Sequence, residues 1–357
     1  MKVKKLFFYI ILVLNIAAVA ALLTSYISVY IPPNKFWVPA FIGLGYPFIL
    51  GVNILFVIFW IIVRWKYSLL SLLAILIGFQ FIPRFYQLNG KQSDDTQIKV
   101  LSYNVHYFSG NGQEIKMNNA EKIITFLAEQ NADIICLQES RLRRNDIFNL
   151  AKTVKELNSI QHYQFASSSS SFGSVTMTRY PIVDMGELRF DNSTNITIFT
   201  DVLIGEDTVR IYNLHLQSYQ INPRNYDVLE SLDIQNENNR RIFRKVAGQM
   251  KRAFELRAGQ VEEIKRHIDA CKYPVIVCGD FNDTPASYAY HILSENLNDA
   301  FVESGYGVGQ TYNGELPSFR IDYLMHSNTL DAYNFETIDL DYSDHLPIVC
   351  DFNITGQ

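Results

Sequence analysis

A chain of 357 residues with 48% hydrophobic content holds enough apolar material for one large domain or two, each with a buried core. Its charge is unevenly spread: the first 83 residues contain Lys2, Lys4, Lys5, Lys35, Arg64 and Lys66 but no acid, so all 36 Asp and Glu fall in the remainder with the other 25 basic residues, a formal −11 there. That balance excludes a generic nucleic-acid sponge, since affinity for phosphate backbones rests on Lys and Arg, while leaving room for local basic patches.

The first elements are apolar. Leu6 to Ile31 carries no charge and is long enough to cross a hydrocarbon core of about 30 Å at about 1.5 Å per residue. Trp37 to Val63 is a second such run, and Ser68 to Ile82 a third, short at 15 residues. A cleaved signal peptide would explain the basic start "MKVKK", but the first run is too long for one and two more follow it. Residues 1–83 therefore read as a membrane region with two or three transmembrane helices. Lys2, Lys4 and Lys5 before the first run, and Arg64 and Lys66 after the second, favour the cytoplasmic side. If the third run also spans, which is the expectation here, the rest of the chain emerges on the far side.

Residues 84–97 include the polar stretch "QLNGKQSDDTQ" and read as a linker. Beyond them, from "IKVLSYNV" and "ADIICLQE" to "YPVIVCGD", "FRIDYLMHS" and "LPIVCDFNI", short strand-like runs alternate with turns. Apolar residues recurring every three and four positions predict helices over Met117 to Gln130 and across Asn238 to Ala270. Residues 98–357 thus form one α/β domain with two packed sheets. "SSSSSFG", Ser167 to Gly173, reads as a mobile surface loop. Cys136, Cys278 and Cys350 lie in apolar strand-like runs as small core residues, and no cysteine pair has the spacing of a metal knuckle.

Polar side chains gather where these strands end. "VLSYN" ends in Asn104 and "DIICLQE" in Glu139; "RIYNLHL" puts Asn213 and His215 on one face; "VIVCGDFN" leads to Asp280 and Asn282. "FRID" gives Arg320 and Asp322, and "YSDHLPI" sets Asp344 and His345 just before the last strand. Any one of these is an ordinary strand-edge residue. Together they supply oxygen ligands for a hard cation and two histidines able to move protons near neutrality, the requirements of metal-assisted phosphoryl hydrolysis.

"LSYNV", "CLQES", "YNLHLQS", "CGDFNDTP", "FRIDYLM" and "YSDHLPI" occur in the order shown by the endonuclease/exonuclease/phosphatase superfamily, which the chain resembles from Ile98 to Asn353. That group includes pancreatic-type deoxyribonucleases, abasic-site endonucleases, neutral sphingomyelinases and inositol polyphosphate 5-phosphatases. The resemblance implies a four-layered α/β sandwich and dependence on Mg²⁺ or Mn²⁺. It implies metal-site roles for Asn104, Glu139 and Asp344, and a water-handling pair in Asp280 and Asn282. It also implies an Asp322 and His345 dyad, and His215 as acid for the leaving oxygen. A catalytically inactive, membrane-tethered binding module of the same fold would lack one of these acids or histidines, and none is missing.

The resemblance implies a phosphate-ester substrate, either nucleic acid or a lipid head group. "GDFNDTP" departs from the GDxNYR of inositol phosphatases and is closer to bacterial membrane-anchored members. A polar insertion after His215 gathers Arg240, Arg241, Arg244, Lys245, Lys251 and Arg252, either a solvated helix face or a basic ridge beside the site, to which "RLRR" from Arg141 could add. With the domain extracytoplasmic, as the three spans imply, glycosylation at the Asn282 sequon would block the site, which favours a bacterial inner membrane. Asp283 is expected to point away from Asp280 and shape the turn with Thr284 and Pro285.

Overall fold

The computed structural model describes residues 2–109, 117–141, 148–157, 159–167, 172–231, 233, 235–314 and 319–355. The serine tract at 168–171 and the cations Arg143 and Arg144 lie outside the described residues.

Four helices come first: α1 (Lys2–Ser28), α2 (Val38–Leu44), α3 (Tyr46–Arg64) and α4 (Ser68–Ile77). Pro39 and Pro47 occupy the first turns of α2 and α3, where a missing N–H costs nothing. Among the described residues two stretches, Lys5–Ser28 and Tyr46–Ile77, are long and apolar enough to cross a membrane. Large apolar side chains on them, such as Leu6, Leu14, Leu55 and Ile62, are exposed. What is buried between the helices is a polar seam. Asn15 Nδ2 donates to Ser71 Oγ (2.6 Å), Trp60 Nε1 to Asn15 Oδ1 (2.9 Å) and Ser71 Oγ to Asn53 Oδ1 (2.9 Å). Asn53 Nδ2 completes it on the Ala18 and Ile49 carbonyls. Partnered in this way, the polar groups join α1, α3 and α4 at mid-length.

The third apolar run is not one straight helix: α4 gives way at Gly78 to a 3₁₀ segment, Phe79–Arg84, which contains Pro83. Together they carry the chain back, because the Tyr26 hydroxyl donates to the Ala74 carbonyl (3.2 Å) and Arg84 Nη1 to the Pro285 carbonyl (3.3 Å). At the opposite end Arg64 lies over the Phe8 ring (5.0 Å). The start of α1 and the end of α3 are therefore remote from the point where α1 meets the rest of the protein.

The remaining elements are β1 (Tyr86–Gln87), β2 (Ile98–Asn104), α5 (Met117–Gln130), β3 (Ile134–Arg141), α6 (Leu150–Glu156), β4 (His162–Ser167), β5 (Phe172–Thr178) and β6 (Ile182–Arg189). They continue with β7 (Ile196–Ile204), β8 (Asp207–His215), α7 (Tyr226–Ser231), α8 (Glu237–Asp269), β9 (Val275–Asp280) and α9 (Tyr288–Ser294). The chain ends with β10 (Leu297–Asp299), α10 (Ala300–Ser304), β11 (Gly307–Val308), β12 (Asp322–Ser327), β13 (Leu330–Thr337) and β14 (Ile348–Ile354). The segment 84–97 is fastened down: β1 pairs with β11, Lys91 Nζ meets Glu303 (2.8 Å) and Asn334 bonds to Ser93.

Two six-stranded sheets, in the orders β13-β14-β2-β3-β5-β4 and β10-β12-β9-β8-β7-β6, face each other. Each is mixed, with one parallel pair, β2 with β3 and β8 with β9. Val100, Cys136, Ile276, Cys278 and Ile348 pack between the sheets. On the outer face of the first, Leu101, Tyr103 and Ile135 meet Ile123, Phe126 and Leu127 of α5. On the outer face of the second, Tyr212, Leu214 and Val277 meet Ala258, Val261 and Ile264 of α8. The central strands are buried on both faces, so they read as unbroken apolar runs, and the result is the four-layered α/β sandwich.

Gly279 is among the glycines that this packing demands. Gly279 has φ +128, and a Cβ there would lie 2.1 Å from the Leu214 carbonyl oxygen of the adjacent strand. Gly279→Ala is expected to lower the thermal midpoint by about 4–8 °C, corresponding to about 2 kcal/mol of strain, readable in a melting curve of the detergent-solubilised chain.

Candidate active site

Strand register assembles the centre of the site. Parallel pairing of β8 with β9 sets His215 opposite Asp280, and antiparallel pairing of β9 with β12 sets Asp322 opposite Asp280. From the other sheet Asn104, at the end of β2, donates through Nδ2 to Asp280 Oδ2 (3.0 Å). Asn282, just past β9, donates to Asp280 through its backbone N–H (2.7 Å) and Nδ2 (3.0 Å). His345 lies before β14, with Nδ1 donating to Asp322 (2.9 Å) and Nε2 3.7 Å from Asp280 Oδ2. A carboxylate offers no proton, so this bond puts the hydrogen on Nδ1.

Two side chains of the site arrive by breaking strand regularity. Pairing of β3 with β5 slips between Leu137 and Ser140, and Glu139 there adopts φ +54. Its Oε1 comes within 3.3 Å of His215 Nε2, which also stands 3.9 Å from Asp280 Oδ2. Asn282 has φ +54 as well. Asp344 Oδ1 sits 3.0 Å from His106 Nδ1. Asn104, Glu139, His215, Asp280, Asn282, Asp344 and His345 all line one cleft of about 1560 Å³, with Asp322 behind His345.

Other expected positions do structural work. Asn213 Oδ1 accepts from Gln138 Nε2 (2.8 Å), joining the two sheets behind the site. Arg320 forms a buried ion pair with Asp299 through both Nη atoms. Asp283 is directed away from the pair, and its Oδ2 lies 3.2 Å from Nε of the buried Arg257 on α8. Conversely, sequence reading passed over His106 and Tyr107. His106 follows Asn104 by two residues and its N–H donates to Asn104 Oδ1 (3.1 Å); the Tyr107 hydroxyl bonds to Glu139. The cluster Asn104-x-His106 at a strand end was the available signal. Arg141 also lines the cleft, its Nε buried with no hydrogen-bond partner. Arg240, Arg241, Arg244, Lys245 and Arg252 are exposed along α8.

Crowded charges set the electrostatics. Burial pushes the Asp280 carboxyl up to about 6; cationic His345 and His215 oppose the rise and the Asp322 charge adds to it. Burial would also raise Glu139 and Asp344, but the hydrogen bond and charge of His215 on Glu139, and those of His106 on Asp344, more than offset it and hold both below the usual range. Burial lowers His215 and His345, yet Glu139 for the first and Asp322 with Asp280 for the second leave both raised. Glu139, Asp344 and Asn104 line the same cleft and would offer oxygen donors to a hard divalent cation. Asp280, Asp322 and His345 also bring one ligand atom each within 4.8 Å of one another. Asp280 already accepts from Asn104 and Asn282, and Asp322 from His345 Nδ1, so that trio is better suited to handling protons.

With this geometry in view, the sequence profile described as "Endonuclease/Exonuclease/phosphatase family" matches residues 101–345. The chain belongs to that family. As a member it is a phosphoric ester hydrolase by class. A second profile, "Domain of unknown function (DUF8431)", matches residues 5–85. A search of curated proteins finds no match. Among solved structures, an endonuclease/exonuclease/phosphatase from Beutenbergia cavernae is similar at TM-score 0.55 and 18% identity, covering 73% of this chain and 72% of that one. D. rerio TDP2, complexed with a single-strand DNA product, is similar at TM-score 0.53 and 18% identity, covering 72% and 100%. A mannosyl-6-phosphatase from Bacteroides thetaiotaomicron is similar at TM-score 0.50 and 17% identity, covering 72% and 99%. At these identities the family's shared property here is the fold.

Asp280 carries a stability consequence. Its folded value, about 6, lies above the ordinary 3.8, so its contribution is fully present below the lower value and is lost as pH rises through 6. Asp280→Asn removes that loss. The variant's stability relative to wild type, measured without metal, is expected to rise between pH 3 and pH 7 by up to about 3 kcal/mol.

Proposed function

We propose that the chain is a membrane-anchored hydrolase of phosphate esters that depends on Mg²⁺ or Mn²⁺ and cleaves a P–O bond with a water held by its own side chains. The observation that carries this reading is the row His215, Asp280, Asp322 with His345 beside it, facing Glu139 across one cleft. A divalent cation, when bound, would draw negative charge from the phosphate oxygens; Glu139, Asp344 and Asn104 are the residues to hold it.

The chain's residues do the rest. Asp280, kept in place by three donors from Asn104 and Asn282, orients the water and takes its proton. Asp322 holds the His345 ring so that Nε2 faces the phosphate. His215, kept protonated by Glu139, gives its proton to the leaving oxygen. That two solved relatives of this fold are named for a DNA product and for a sugar phosphatase supports a phosphoester substrate.

The two long apolar stretches, Lys5–Ser28 and Tyr46–Ile77, form the anchor in this reading. The basic ends at Lys5 and Arg64 lie at the far end of the helices from the catalytic domain, which supports an extracytoplasmic domain in a bacterial inner membrane.

The test is hydrolysis of bis-p-nitrophenyl phosphate and p-nitrophenyl phosphate by the purified full chain. Activity should vanish in EDTA and return with Mg²⁺ or Mn²⁺. Asp280→Asn and His345→Ala should each lose about 10²–10⁴-fold in kcat while keeping the wild-type circular dichroism spectrum. Near-wild-type turnover in either variant would refute the assigned roles.

A further inference from the structure

The geometry points to a substrate whose phosphate is joined to a long hydrocarbon chain, so that the site works on a lipid-borne phosphoester. This rests on the hydrolase reading above and specifies its substrate class.

The cleft containing the catalytic groups is not closed by the catalytic domain alone. Phe41 and Leu44 of α2, Gly45, and Phe48 in the first turn of α3 are part of its lining, so the apolar N-terminal helices supply one wall. Phe319, Val246 and Met250 line it from the catalytic domain. The rings of Phe48 and Phe319 stand 6.2 Å apart, a pair bridging the two walls. The catalytic floor is polar and charged, whereas this side of the cleft is apolar. At about 1560 Å³ the space exceeds the roughly 300–1,000 Å³ of an ordinary small-molecule pocket.

The N-terminal wall is firmly set. A Cβ on Gly43 would stand 2.6 Å from the Ala286 carbonyl oxygen, so α2 approaches the catalytic domain as closely as glycine permits. Ser28 Oγ at the end of α1 donates to the same carbonyl (3.3 Å), and Phe41 packs edge-on against Phe254 of α8 (5.1 Å). Pro285 and Ala286 belong to the turn that begins with Asp280 and Asn282, so the helices dock on the loop leaving the catalytic strand.

The apolar wall also leads somewhere. Phe48 is 59% exposed, and Val52 and Leu55, at 44% and 65%, follow it at helical spacing along one face of α3. The cleft therefore opens onto an apolar stripe that continues down a helix long enough to span a bilayer. A head group seated over Asp280 would leave its hydrocarbon chain along Phe48 and that stripe, already in the medium lipids occupy. A nucleic-acid strand would instead require a cationic track, and among the described residues the Lys and Arg lining the cleft are Arg141 and Arg224, flanked by the histidines.

The test uses the full chain in one fixed detergent and ethyl, octyl and hexadecyl p-nitrophenyl phosphodiesters, which share a leaving group and differ in chain length. Wild type is expected to gain about tenfold or more in kcat/KM from ethyl to hexadecyl. Phe48→Ser and Phe319→Ser, from opposite walls, are expected to collapse that ratio toward one. Because micelle partitioning is common to all three proteins, a ratio preserved in both folded variants refutes the lipid assignment. A flat series in wild type, or faster cleavage of a single-stranded oligonucleotide than of the hexadecyl ester, also refutes it while leaving phosphoester hydrolysis standing. Absence of turnover on every ester by a chain with an intact melting transition removes both readings. A diacyl glycerophosphodiester run alongside the single-chain series distinguishes a two-tailed source from a one-tailed one.

Discussion

Burying the Asp280 carboxylate is the constraint on which the rest of the site turns. At 1% exposure it has lost its water, and a second carboxylate, Asp322, sits opposite it on the next strand. Such a group is tolerated where donors and counter-charges surround it. Here they come from several separate parts of the chain: Asn104 from the facing sheet, Asn282 from the following turn, His215 from the parallel neighbour and His345 from the segment before the last strand. The two sheets must therefore meet in one registration. Gln138 and Asn213 hold that registration with a hydrogen bond between the sheets, and Gly279 allows β9 to lie close enough to β8.

The N-terminal helices obey a related rule in an apolar setting. Their outer surfaces expose leucine, isoleucine and phenylalanine, while Asn15, Asn53, Trp60 and Ser71 satisfy one another between them. Polar groups with few alternative partners specify one packing of the helices, and that packing presents Gly43 and Ser28 to the turn at Ala286. The helix bundle and the turn after β9 are thereby mechanically continuous, with Arg84 on Pro285 as a second attachment.

Much of the candidate site was legible because strand ends are punctuated by polar residues after apolar runs. Asn104, Asp280 and Asp322 follow directly from that pattern, and the expected helices coincide with α5 and α8 to within a residue or so. Glu139 and Asn282 were read from the same strand-end pattern, although both adopt left-handed backbone that a period of two does not describe. His106 was missed since a histidine beyond a strand end carries no periodic signal. Arg320 and Asn213 looked like site residues because a buried structural pair has the same composition as a catalytic one; Asp299 and Gln138, remote in sequence, are what distinguish them.

Apolar periodicity, charge-free runs and the ordering of acids and histidines determine the two sheets, the apolar helices and the inventory of reactive groups, since these depend on side chains a few positions apart. Tertiary packing alone decides which groups face each other: that Glu139 meets His215, that Asp344 meets His106, that Asp283 turns to Arg257, and that Phe41 and Phe48 wall the cleft. The reason is physical. Hydrogen bonds and ion pairs act over a few ångströms, and which residues come that close across 100 or 200 positions of chain is set by strand register and layer stacking.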